Sequence, residues 1–103
     1  MKIANVFVNG CQAGELREVE RGSKYRFVYF ETYKGPSVSL EMPTTQLTYE
    51  YDRFPPFFEG LLPEGIMLEG LFRQLKIDRN DLLSQLIAVG GDMVGNVTVE
   101  GVL

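Results

Sequence analysis

Glu59, Glu64 and Glu69, Ser37 and Ser39, and the single Cys11 are the residues of this chain whose types and spacing could do chemistry. Paired carboxylates can share acid and base roles, a serine can attack a carbonyl or phosphoryl group, and a thiolate is a nucleophile. None of these candidates finds its helpers in the sequence. The chain has no histidine, which removes the usual general base, the usual metal ligand and the usual pH switch. Glu64 is better read as a helix-start residue facing the positive end of the dipole. Glu69 stands four residues before Arg73, the favourable order for a surface ion pair. Cys11, beside a hairpin turn, reads as a small strand residue. One cysteine excludes an internal disulfide and a four-ligand structural zinc site. The run Gly90-Gly91-Asp92-Met93-Val94-Gly95 is glycine-rich, but it follows a helical pattern instead of opening one, so it is not a phosphate loop. Autonomous catalysis is not expected, nor is a metal or cofactor.

Recognition by contact is the better-supported chemistry. Pro55-Pro56-Phe57-Phe58-Glu59-Gly60-Leu61-Leu62-Pro63-Glu64-Gly65 packs three prolines, two glycines in positions that punctuate it, and paired aromatics into one stretch. Proline removes an amide donor and restricts the residue before it, so this is no ordinary helix. It is too apolar for a disordered linker. It reads as a rigid corner that launches a helix over Glu64 to Lys76, in which Leu68, Leu71, Phe72 and Leu75 form one face. On a wheel of about 100° per residue that face spans about 60° either side of Leu68, and Ile66 points away from it. Met67 lies on the flank. Beside Phe57 and Phe58 they are either packed under the loop or presented as an anchor cluster for another protein.

The elements that must hold this corner are mostly strands. Lys2 to Val8 is β-forming, Asn9-Gly10 is a hairpin turn, and Cys11 to Glu20 returns with Gly14 marking a bulge or close backbone approach. Lys24 to Glu31 places Tyr25, Phe27 and Tyr29 on one side of a half-buried strand. Ser37 to Leu40 alternates as a short strand, and Thr48 to Asp52 is a brief extended piece. Asp78 can cap a second helix, with Asp81 near the capping-box position, Leu82, Leu83, Leu86 and Ile87 buried, and Gly90-Gly91 ending it. Asn96 to Val102 closes as a strand. The expected fold is α+β: an antiparallel sheet or small half-barrel of about five short strands with two packed helices.

Length and charge agree with a binding module. The 103 residues make one domain, and the net charge of −4 with scattered cations argues against a nucleic-acid surface. Arg21, Lys24 and Arg26 read as a solvated strand face. No apolar run reaches the length of a membrane span and no signal segment opens the chain, so the expected place is the cytoplasm.

Together, Val8-Asn9-Gly10, Gly14 with Leu16, Tyr25/Phe27/Tyr29, Val38-Ser39-Leu40-Glu41-Met42-Pro43, Pro56-Phe57-Phe58-Glu59-Gly60-Leu61-Leu62-Pro63-Glu64-Gly65 and Gly91-Asp92-Met93-Val94-Gly95-Asn96-Val97 resemble the N-terminal subdomain of HipA-family serine/threonine kinases. In that family the subdomain precedes a kinase core that holds nucleotide and magnesium. A chain ending at Leu103 is not expected to carry that activity. A free-standing version resembles the HipS antitoxins of HipBST-type bacterial toxin–antitoxin systems. The resemblance then implies an inhibitor of a HipA-like kinase toxin, with a HipB-like DNA-binding protein as a further partner in a ternary complex. The candidate partner-binding residues are Phe57, Phe58, Leu62, Pro63, Glu64, Ile66, Met67, Glu69 and Arg73. A structural subunit that completes or activates a split kinase would use the same surface, and the sign of the effect separates the two.

Overall fold

Asn9 and Gly10 both take positive φ, 52° and 81°, and close a two-residue turn between Val8 and Cys11. That conformation suits a hairpin because its twist matches that of the strands it joins. The computed structural model describes residues 2–62, 81–90 and 96–102. In it, β1 (Ile3–Val8), β2 (Cys11–Glu20), β3 (Lys24–Tyr29), β4 (Thr48–Tyr51) and β5 (Val97–Gly101) form one antiparallel sheet in the order β4-β3-β2-β1-β5. The closing strand returns to the sheet by pairing with β1, Val6 opposite Val99 and Val8 opposite Val97.

Alternation decides which face is buried. Tyr25, Phe27 and Tyr29 on β3 align with Leu16 on β2, with Ala4, Val6 and Val8 on β1 and with Val97 and Val99 on β5; all of them are buried. Gly14 fulfils both expectations for it. The register slips between Val6 and Phe7 on β1, and a β-carbon on Gly14 would stand 2.1 Å from the Val28 carbonyl oxygen, so no side chain fits. On the opposite face Arg26 lies directly across from Arg17. Each cation has its own carboxylate, Glu50 at 2.9 Å from Arg26 Nε and Glu15 at 3.1 Å from Arg17 Nε, which relieves the like-charge pairing.

Helix α1 (Pro56–Glu59) and helix α2 (Leu82–Val89) lie over the buried face, α1 against α2 and α2 against β5. The close fit of α2 explains Gly90. It has ordinary helical angles, φ −58° and ψ −29°, so positive φ is not what a glycine serves here. A β-carbon on it would come within 2.0 Å of the Val99 carbonyl oxygen. Asp81 is the N-cap of α2, accepting the Ser84 amide at 3.2 Å. The expected cap, Asp78, lies outside the described residues, as does the helix expected over Glu64 to Lys76.

The short strand expected at Ser37 to Leu40 is not formed. The open edge of β3 is taken by β4 and by Leu47, whose carbonyl accepts the Tyr29 amide at 2.8 Å. Residues Ser37 to Met42 instead fold into a tight turn, with a lone bridge between Ser39 and Met42. Val38 and Met42 plug into the core from either side of it.

Candidate partner interface

The proline corner is built by two rules acting in sequence. Pro55 takes φ −57° and ψ 129°, the extended backbone forced on a residue before proline, and Pro56 then sits at the first helical position, where no amide donor is needed. One helical turn follows, so the segment is more regular than its proline content suggests. The Glu59 and Gly60 amides donate to the Pro55 and Pro56 carbonyls at 3.0 Å each, and Leu61 and Leu62 continue with bonds of 3.1 Å to Phe58 and Glu59.

Aromatic packing pins this turn to the sheet. Phe58 is 0% exposed, with its ring centroid 5.8 Å from that of Phe27. Phe57 meets Phe58 edge-on at 5.2 Å and is half-buried. Just upstream, buried Phe54 meets Tyr25 edge-on at 5.2 Å. Leu61 and Leu62 are half-buried against the same core. Of the expected partner-binding residues, Phe57 and Leu62 therefore keep open surface at the corner. Phe58 is core: its side chain is fully buried with its ring against Phe27, so it can serve an interface only by bracing it from within. Pro63, Glu64, Ile66, Met67, Glu69 and Arg73 lie outside the described residues.

The two serines offered for covalent chemistry have structural partners. Ser39 Oγ accepts the Glu41 amide at 3.2 Å and Ser37 Oγ accepts the Thr44 amide at 3.1 Å, so both hydroxyls hold the turn. Glu59 is exposed in the last residue of α1. Cys11 is exposed where β2 begins, on an open cleft shared with Tyr33 and Lys34. Among the described residues no group of three histidine, cysteine or carboxylate side chains is placed to hold a metal. No helix among them is long and apolar enough to cross a membrane.

Tyr29 is buried, as its place on the half-buried strand predicts, and its hydroxyl adds a polar role. It accepts the Val38 amide at 2.8 Å and donates to the Met42 carbonyl, stapling both arms of the turn to β3. Burial pushes this hydroxyl up, against the lowering effect of the Val38 amide, so it stays protonated and able to donate at neutral pH. Tyr25 is likewise pushed up, by burial and then by the Glu18 carboxylate. The available signal was the polar tip of a tyrosine at a core position, which must find a partner when buried.

Comparison with known proteins agrees with this arrangement. Residues 4–100 match the family model described as the HipA N-terminal domain. The chain is 32% identical over 100 residues to an uncharacterized protein of Haemophilus influenzae, covering 97% of this chain and 92% of that protein. Among solved structures it is similar to the N-terminal domain of HipA toxin, with a TM-score of 0.79 and 31% identity, covering 100% of this chain and 94% of the other. A family match spanning the sheet, the corner and the returning strand leaves no element unaccounted for: the chain belongs to the HipA N-terminal domain family.

Proposed function

We propose that this chain is a HipS-type antitoxin, which binds a HipA-like serine/threonine kinase toxin and inhibits it by docking near the nucleotide and active-site cleft. The observation that carries the reading is the match, over nearly the whole chain, to the N-terminal domain of a HipA toxin. A domain that in the toxin neighbours a kinase core has a surface shaped for it, and a separate copy keeps that surface. The Haemophilus relative, of which this chain covers 92%, is a protein of about this size. The corner at Phe57 and Leu62 starts the docking surface, and Pro63, Glu64, Ile66, Met67, Glu69 and Arg73 continue it. Inhibition is steric exclusion or distortion of the cleft, so the chain contributes contacts and no catalysis. A HipB-like DNA-binding protein joins as the third member of a cytoplasmic complex.

The test mixes the purified protein with a HipA-like kinase from the same genome and follows phosphorylation in vitro and growth in cells expressing both. Loss of phosphorylation with rescued growth is the expected outcome. Increased phosphorylation would make the chain a subunit that completes a split kinase. Replacing Ile66 and Met67 together with aspartate should weaken binding about tenfold or more, the loss typical of an interface anchor, with an unchanged circular dichroism spectrum. Undiminished binding by that double variant would remove these two residues from the surface.

A further inference from the structure

Leu40 is 99% exposed, at the tip of the turn between two core residues, Val38 and Met42. A leucine standing in water is not unusual by itself. What sets this one apart is the rigidity of its mount. The Met42 amide bonds the Ser39 carbonyl at 3.1 Å, and the Glu41 amide bonds Ser39 Oγ at 3.2 Å. The Tyr29 hydroxyl spans Val38 and Met42, and Ser37 Oγ holds Thr44 at 3.1 Å. Flexible tips shed apolar side chains at no structural loss, whereas this one is held in one place by a set of bonds and two buried anchors. Preorganisation of this kind removes the ordering cost from a binding event.

The position of the turn says which partner it faces. Tyr29 carries the Ser37–Met42 turn and Phe27 carries the Phe58 corner, and these two β3 rings touch, with centroids 4.8 Å apart. The turn and the corner therefore pack on neighbouring positions, Tyr29 and Phe27, of the same face of the sheet. Glu41 beside Leu40 is exposed, so the rim of the contact is anionic.

We infer that Leu40 is a second anchor of the kinase-docking surface, inserting into an apolar pocket of the HipA-like kinase whose rim carries a cation facing Glu41. The inference rests on the kinase-binding reading above. Because the Leu40 side chain touches almost nothing within its own chain, Leu40→Asp leaves the melting temperature unchanged and isolates the contact. Binding of the wild type, Leu40→Asp and Leu40→Met to the purified HipA-like kinase is measured by calorimetry, with sedimentation of each protein alone. Leu40→Asp should bind about tenfold or more weakly, as an anchor does, and Leu40→Met should bind close to wild type. Equal binding by wild type and Leu40→Asp overturns the anchor while leaving the kinase reading intact. Failure of the wild type to bind overturns both. A change confined to self-association in the sedimentation arm also overturns it, by giving the leucine to a second copy of this chain.

Discussion

Phe57 and Phe58 are identical neighbours that differ in burial, and the difference is a matter of helical phase. About 100° separates successive residues on a helix, so in one turn only one of the pair can face the sheet. Phe58 does, and it is fully buried against Phe27. Phe58→Ala should lower stability by about 3–5 kcal/mol, the usual loss for a buried phenylalanine, as read by urea unfolding. Phe57→Ala should lower it less, because its side chain is only partly buried at the edge of the core. Similar losses for both would mean that the turn is rotated from the arrangement described. From the sequence the pair was legible as important and as apolar. Which ring turns inward was not, because it depends on where the single turn starts, and that is set by Pro55 and Pro56 meeting the sheet.

Helix α2 shows what long-range contact adds to a local signal. The sequence reads Asp78 as the cap ahead of Leu82, Leu83, Leu86 and Ile87 and puts Asp81 near the capping-box position, whereas in the structure Asp81 is the N-cap. The choice of Asp81 is reinforced from the far end of the chain, where the Lys2 ammonium pairs with its carboxylate and also bonds the Ser84 hydroxyl. Burial pushes the Asp81 carboxyl up, but the hydrogen bonds from Lys2 and Ser84 outweigh it and hold the group below its ordinary 3.8. A carboxyl lowered on folding stabilises the protein above its unfolded pKa, and the contribution is lost as pH falls through the folded value. Asp81→Asn keeps an oxygen to cap the Ser84 amide and removes the charge together with the Oδ2 acceptor that takes the Lys2 and Ser84 hydroxyl bonds. It should be less stable than wild type by about 0.2–1 kcal/mol at neutral pH, the range for a solvent-accessible ion pair. The gap should narrow as the pH falls from the ordinary 3.8 through the lower value of the folded carboxyl, where the wild-type group also becomes neutral. A gap independent of pH would mean that the Lys2 pair contributes nothing.

Across the whole molecule one core joins everything described: the inner faces of β1, β2, β3 and β5, Val38 and Met42 from the turn, Phe54 and Phe58 from the corner, and Leu83 and Leu86 from α2. Thermal unfolding should therefore follow a single calorimetric transition whose van't Hoff and calorimetric enthalpies agree. A separate early transition would mean that the corner and α2 detach before the sheet. What the sequence determined alone is the sheet itself. The Asn9-Gly10 turn, the period-two aromatics of β3 and the glycine at position 14 are local rules, and a local rule is written in adjacent residues. The absence of histidine likewise bears on chemistry without any coordinates. What only the tertiary structure decided is where distant pieces meet. Ser37 to Leu40 alternates as a strand does, yet the edge it needed is occupied by β4, and the Tyr29 hydroxyl offers the Val38 amide a different partner. Gly90 ends a helix, yet its missing side chain answers to the Val99 carbonyl across the core. Edge occupancy and backbone approach are properties of pairs of segments far apart in the chain, so no window of residues contains them.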